Sequence, residues 1–238
     1  MKKTLFTLCV DNYEPEITAI TFPLLKRFAD KIDADFQIIT EREFPDMPVT
    51  YEKFQLYELS KGLDWAYFLD ADTLVHPDAF DPIIGLEKDT TCSGFTNDFT
   101  PMRFKLDGMF RRDGRFIGKG NWCAIFSDWC RDYFHPLDDL TVDEAVGNIY
   151  PLVGEESNGT DSIHLIDDYI VSRNIARYGL KHVLISQIAE HFKFQQWHPR
   201  SVIDPSQLVL YPFAHTYNMP SEQKVVWMGE VLKSWGIK

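Results

Sequence analysis

The chain has 238 residues, a formal net charge of −12, and 45% apolar and 25% charged side chains. That acidity excludes a general nucleic-acid binder, which needs a basic face, and an electrostatic membrane anchor. The length fits one large domain or two small ones. Any anionic ligand must therefore find its positive charge locally, and a divalent cation held by carboxylates would supply it.

The four cysteines, Cys9, Cys92, Cys123 and Cys130, form no CxxC pair and no zinc-ligand spacing. Scattered thiols suit a reducing compartment, so the expected location is cytoplasmic. The opening "MKKTLFTLCVDN" imitates a signal peptide in its two lysines, but its apolar core is short, broken by Thr4 and Thr7 and ended by Asp11 and Asn12. No stretch approaches a membrane span. Aromatic residues make up 14% of the chain, and most are expected in the core.

"TLFTLCV" is a β-rich apolar run and reads as the first strand. In the segment after it, Ile17, Ile20, Leu24, Phe28 and Ile32 recur at helical spacing. Pro15 suits the helix start, and Pro23 is expected to kink or split the helix. "DFQIIT" is a second strand, and "YEKFQLYELSKG" a helix closed by Gly62. "WAYFLD" is a third strand, apolar almost throughout, as a strand buried on both faces would be. Alternating strands and helices predict an α/β domain with a mostly parallel central sheet flanked by helices.

The later elements are less regular. "HPDAFDPIIGL" reads as a turn and short helix, "TTCSGFT" and "NWCAIFS" as strands, and residues 136–162 as polar and turn-rich. Asn158-Gly-Thr160 fits a glycosylation sequon but reads as a turn. Between them, Arg103, Lys105, Arg111, Arg112, Arg115 and Lys119 with three glycines form a basic loop. It is either a solvated loop or a flap over phosphates or acceptor. "HLIDDYIVSRNIARYG" carries an acidic pair into a helix closed by Gly179, "KHVLISQ" reads as a strand, and "PSEQKVVWMGEVLKSW" as an amphipathic C-terminal helix.

Ligands of parallel sheets bind beyond the carboxyl ends of the strands, where Asp11, Asp70 and Asp72 all fall. In an extended segment, residues 70 and 72 project to one side. Two such carboxylates make a hard oxygen site for Mg²⁺ or Mn²⁺, which can bridge the phosphates of a nucleotide diphosphate.

"EKFQLYELSKGLDWAYFLDADTLVHPDAFDPI" resembles the signature segment of GT-A glycosyltransferases, in particular the glycogenin-like and related nucleotide-sugar transferases. The resemblance implies a single GT-A (Rossmann-like) domain. Its nucleotide-sugar-binding half would be about residues 1–100 and its acceptor-binding half about 101–238. It implies transfer of a hexose from a nucleotide-diphosphate sugar, UDP-linked, to a carbohydrate or other hydroxyl acceptor. Asp70, Ala71 and Asp72 match the metal-binding motif, and Lys53 matches a lysine near the diphosphate. Thr7, Asp11 and Tyr13 are implied around the base and ribose.

A late histidine completes the metal shell in such chains, and His215 in "YPFAHTYNMP" fits by order and strand-end context. A nitrogen ligand favours Mn²⁺ over Mg²⁺. The G-x-x-K-P-W segment expected after that histidine is missing, and whether Lys224 replaces its lysine is open. By the same resemblance, Asp167 and Asp168 supply the catalytic or sugar-binding carboxylate, with Asp168 favoured, and Asn121 contacts the donor sugar. Trp122 or Trp197 would stack on a sugar face. Helix N-capping is the plain alternative for the acidic pair. Thr73 reads as a bystander.

The rival reading comes from the same residues. "FLDADTL" also satisfies the hhhDxDxT pattern of haloacid-dehalogenase-type phosphatases. Asp70 would then be the nucleophile, Asp72 the acid, Lys105 or Lys119 the phosphate anchor, and Asp167 or Asp168 a second ligand to Mg²⁺. Against it, that motif ends the first strand of its domain, whereas two βα units precede it here. Thr73 also stands where a glycine is common. A non-catalytic sugar-nucleotide or carbohydrate-binding module is the third option.

Overall fold

A computed structural model describes residues 1–94, 104–105, 121–151, 162–189, 211–216 and 219–237. Six strands form the central sheet, in the order β2-β1-β3-β6-β5-β7. They are β1 (Lys3–Leu8), β2 (Asp35–Ile39), β3 (Trp65–Leu69), β5 (Thr90–Ser93), β6 (Cys123–Phe126) and β7 (Lys181–Leu184). Only β6 runs antiparallel to its neighbours, so the sheet is mostly parallel, as the alternating pattern predicts.

Side-chain alternation explains why this sheet is buried on both faces. Phe6, Ala66, Phe68 and Phe126 point into one core with Phe134, Tyr169 and Ile170. Leu5, Tyr67, Leu69 and Ile125 point into the other with Leu25, Phe28 and Ala29 of helix α1 (Pro15–Lys31). Helix α4 (Ile166–Arg177) covers the first face.

Helix α1 is not split at Pro23. Its buried residues on both sides of the proline, Ile17, Thr21, Leu24, Leu25 and Phe28, hold the two halves in one helix, and tertiary packing outweighs the lost N–H. The Lys53 segment differs from the α-helix expected. Val49–Gln55 is a 3₁₀ helix, followed by a single α turn, α2 (Leu56–Leu59), with Gly62 at φ 74° ending the run. Tyr51 to Gln55 are buried one after another, which a one-sided amphipathic α-helix does not allow.

Two further differences follow from local chemistry. Residues 136–162 are not all turn: α3 (Val142–Gly147) is nucleated by a Thr141–Glu144 capping box. The expected strand "KHVLISQ" stops at Leu184, and α5 (Ile185–Ala189) follows. Of the basic loop, only Lys105 is described. Phe104 bridges Ile149, and Lys105 Nζ donates to the Gly147 carbonyl. The remaining loop cations, Trp197 and the 158–160 sequon lie outside the described residues.

A small second sheet pairs β4 (Thr73–Val75) with β8 (Phe213–His215), antiparallel. A third apolar cluster seats it against α1 and the C-terminal helix α6 (Ser221–Ser234), through Ile17, Leu24, Leu74, Ala214, Trp227, Met228 and Val231. This packing brings β8 and α6 back over the carboxyl ends of β1 and β3. Among the described residues, no helix is long and apolar enough to cross a membrane.

Candidate metal and donor site

The site begins where β3 ends. Asp70, Ala71 and Asp72 do not continue the strand; they form a tight turn before β4. The Asp70 N–H is held by the Trp122 carbonyl at 2.8 Å, and the Thr73 N–H returns to the Asp70 carbonyl at 3.0 Å. The two carboxylates therefore share a side because of a turn and not because of strand alternation. The Ala71 carbonyl is anchored by the Thr21 hydroxyl of α1.

Thr73 is more than a bystander. It pairs in register with His215 across β4 and β8, and that pairing delivers the imidazole to the carboxylates. His215 Nε2 lies 3.1 Å from Asp72 Oδ1 and 3.6 Å from Asp70 Oδ2. One ligand atom from each of Asp70, Asp72 and His215 falls within 4.8 Å of the others. Two carboxylate oxygens and an imidazole nitrogen, gathered this closely, make a donor set that could hold a divalent metal ion.

Lysines flank the triad on both sides. Lys53 Nζ is 3.0 Å from Asp70 Oδ1 and 2.9 Å from Asp167 Oδ2, and it donates to the Asn121 carbonyl. Lys224 Nζ, from the first turns of α6, is 2.9 Å from Asp72 Oδ2 and 3.2 Å from the Tyr13 hydroxyl. The Thr216 hydroxyl donates to Asp72 Oδ2 at 2.7 Å. Tyr13 and Lys224 thus close one side of the triad, and Lys53 the other.

The charges tune one another. Burial opposes ionisation of Asp70, but Lys53 and His215 bring its carboxyl below the usual range. The same holds for Asp72, where burial is overcome by His215 and then Lys224. Burial works against a charged His215, yet Asp72 and Asp70 raise its pKa to about 9. Burial likewise works against Lys53, and Asp167 and Asp70 raise it all the same. The acidic turn is therefore ionised at neutral pH, ready for cations.

The acidic pair lies in the first turn of α4, and neither residue caps it: the N-cap position is Leu165, with no side-chain cap. Asp167 is buried and committed to Lys53, with Asn121 Nδ2 at 3.5 Å. Asp168 is half-buried, and its Oδ1 accepts the Asn121 backbone N–H at 2.7 Å. Burial, and then the adjacent Asp167, push the Asp168 carboxyl well above the ordinary range. Asn121 is itself held through Oδ1 by the buried Tyr133 hydroxyl at 3.4 Å.

The structure thus gathers Tyr13, Lys53, Asp70, Ala71, Asp72, Asn121, Asp167, Asp168 and His215 around one strand end. Asp11 is exposed and paired with Arg42 at 3.3 Å, outside this network. Thr7 is fully buried in β1, and its hydroxyl finds no hydrogen-bond partner among the described residues. The loop between β1 and α1 carries Asp11, Asn12 and Glu14 at φ 54°, 55° and 33°. Three left-handed non-glycine residues so close together mark a backbone held by its surroundings. Trp122 does not offer a free face for a sugar: it is 5% exposed and stacks on the His215 ring. Thr216 had no signal in the sequence, because it leaves β8 just after His215 and so escapes strand alternation. Lys224 lies beside the triad, its ammonium reaching Asp72 and Tyr13.

No family model matches the chain, and no curated protein matches it. A solved structure does. A glycosyltransferase involved in the glycosylation of the major capsid of PBCV-1 superposes with a TM-score of 0.55 at 9% identity, over 96% of this chain and 99% of that one. Two others align more loosely. One is the galactosyltransferase LgtC in complex with donor and acceptor sugar analogues, at TM-score 0.43 and 9% identity over 95% of each chain. The other is a mutant of Drosophila β1,4-galactosyltransferase 7 in complex with manganese, UDP-Gal and xylobiose, at TM-score 0.39 and 9% identity over 77% of this chain and 65% of that one. The α/β architecture expected of a GT-A domain is therefore the one this chain adopts, shared along nearly its whole length with a solved glycosyltransferase.

Proposed function

We propose that this protein is a metal-dependent glycosyltransferase that moves a hexose from a UDP-linked sugar to a hydroxyl of a carbohydrate or other acceptor. The observation that carries the reading is the Asp70–Asp72–His215 triad, set in a turn at the carboxyl end of β3 and flanked by Lys53 and Lys224. Asp70, Asp72 and His215 would hold Mn²⁺, with Mg²⁺ a poorer match for the nitrogen ligand. The chemistry such an ion supplies is neutralisation of the charge on the departing nucleoside diphosphate.

The chain's own residues do the rest. Lys224 and Tyr13 face the triad from the loop side, where the phosphates of a donor would lie, and Thr7, Asp11 and Ala71 belong to the same donor half. Lys53 ties the metal turn to the acidic pair and fixes the distance between donor and reacting sugar. Asn121 orients Asp168. A carboxyl raised above its ordinary range is a stronger base than a free carboxylate, suited to take the proton of an acceptor hydroxyl or to hydrogen-bond the transferred sugar. Asp167, already engaged by Lys53, holds that arrangement in place. Residues 1–100 would then serve the donor and 101–238 the acceptor, and the four cysteines, none of them in a disulfide, suit a cytoplasmic enzyme.

The phosphatase alternative is weaker on the same geometry. Its nucleophile would be Asp70, which ends the third strand of the chain, after two βα units, and is screened by Lys53 and His215. A thermal-shift panel of nucleotide sugars with Mn²⁺ tests the proposal. Ligand at ~100 times its Kd should add about 2.7 kcal/mol, an upward shift of several degrees in a chain of this size. The wild type should also release UDP slowly from that sugar. Hydrolysis of p-nitrophenyl phosphate with Mg²⁺, and no response to any nucleotide sugar, would overturn it.

A further inference from the structure

A histidine that ligates a metal is normally oriented by a hydrogen bond from its other ring nitrogen to a carboxylate, a carbonyl or water. His215 lacks this. Its Nε2 faces the two aspartates, while its buried Nδ1 finds no hydrogen-bond partner among the described residues. Something else must fix the ring. Trp122 lies against it, with ring centroids 5.4 Å apart and planes only 17° from parallel. Trp122 is also part of the chain segment whose carbonyl holds the Asp70 N–H, so one residue touches both the imidazole and the aspartate turn.

Room for that indole is made by Gly94 at the end of β5. A Cβ at residue 94 would stand 2.4 Å from Trp122 Cε2 and 2.5 Å from its Nε1, closer than atoms can approach. Gly94 is not at a positive φ, so the reason for glycine here is the approach of the ring and not backbone freedom. Gly94, Trp122 and His215 form a stack that runs from the central sheet to the small sheet.

We propose that Trp122 is a positioning residue for the metal ligand His215: its ring face, seated on Gly94, takes the place of the missing hydrogen bond and sets the direction of Nε2. The inference rests on the metal-site reading given above. Offset stacking is directional enough to select one imidazole rotamer, and aromatic pairs of this kind couple by amounts that mutational cycles resolve.

The test is Mn²⁺ titration of the full chain by electron paramagnetic resonance, without donor, on wild type, Trp122→Phe, Trp122→Leu and Gly94→Ala. Trp122→Phe keeps a ring face and should bind within ~3-fold of wild type. Trp122→Leu and Gly94→Ala should weaken binding about 10- to 100-fold, the range seen when the support of a ligating histidine is lost. The decisive arm is the cycle with His215→Ala. In that background, Trp122→Leu should change Mn²⁺ affinity by less than ~2-fold, because the ring has nothing left to orient. A merely structural role would carry its full loss into the His215→Ala background, and that result overturns the proposal, as does wild-type affinity in both Trp122→Leu and Gly94→Ala. Should Trp122→Leu fail to fold, Gly94→Ala, alone and with His215→Ala, gives the same decision. No Mn²⁺ binding by the wild type would instead sink the metal-site reading itself.

Discussion

Two buried charge clusters lie a few residues apart in this protein, and they are built on opposite principles. Around Glu52, which is fully buried, the carboxylate accepts the backbone N–H groups of Glu43 and Phe44, the Gln55 side-chain amide and Arg42 Nε. Two of the partners are backbone N–H groups, and the guanidinium is itself held by the Phe44 and Met47 carbonyls. That cluster folds the loop between β2 and the 3₁₀ helix and has no capacity left for a ligand. Around Asp70 and Asp72, joined to the first cluster through Lys53 next to Glu52, the charged partners are Lys53, Lys224 and His215, side-chain groups that can carry or give up a proton. Side-chain cations can move aside or lose a proton in favour of another cation, whereas backbone donors cannot. A buried carboxylate held in part by backbone donors fits architecture; two carboxylates gathered with a histidine among side-chain cations fit a candidate site.

The largest way to break this contrast is on the structural side. Glu52→Ala should cost about 3–5 kcal/mol of unfolding free energy in a urea titration, because Arg42 and two N–H groups lose their buried acceptor. Asp70→Asn should cost much less, since Lys53 keeps Asp167. Equal costs would erase the distinction. On the site's side, Asp168→Asn should leave the fold intact by circular dichroism and lower turnover of the responsive nucleotide sugar about 10²–10⁴-fold, the usual worth of a positioned proton acceptor. Near-normal turnover would remove Asp168 from the chemistry.

A gentler test uses pH. His215 carries a pKa raised to about 9, from an ordinary value of 6.5. A raised histidine stabilises the fold below its unfolded pKa and loses that contribution as pH climbs to its folded one. Metal-free stability should therefore fall between pH 6.5 and about 9. Mn²⁺ needs the neutral imidazole, so its affinity should rise over that window, by up to ~10-fold per unit. The two curves should run in opposite directions, and His215→Gln should flatten both. Parallel curves would mean that the histidine is not a ligand.

Much of this site was legible because it is local. The apolar run 65–69 ends in charges, and a strand end on a parallel sheet is where ligands bind, so Asp70, Asp72 and the segment carrying Lys53 could be read directly. The acidic pair entering α4, Asn121 ahead of β6 and the role of Lys53 were expected only through the resemblance. Long-range facts were not. His215 could be placed only by its order in the chain, because its approach depends on β4–β8 pairing across about 140 residues, which no short-range pattern encodes. Strand alternation gave the right grouping of Asp70 and Asp72 for the wrong cause, since a turn does the work. Trp122 read as a sugar platform because an aromatic beside an active strand looks the same whether its face meets a sugar or an imidazole. Only its burial and its stacking on His215 tell the two apart.

The central claim is that Asp70, Asp72 and His215 hold a divalent cation that in turn holds a nucleotide. It is tested most directly by isothermal titration of Mn²⁺, and of UDP with and without Mn²⁺, into wild type and Asp72→Ala. The expected result is tight Mn²⁺-dependent UDP binding by the wild type, and a loss of about 10²-fold or more in both Mn²⁺ and Mn²⁺-dependent UDP affinity in Asp72→Ala, as for removal of a metal ligand. Unchanged affinity for both in Asp72→Ala would contradict it.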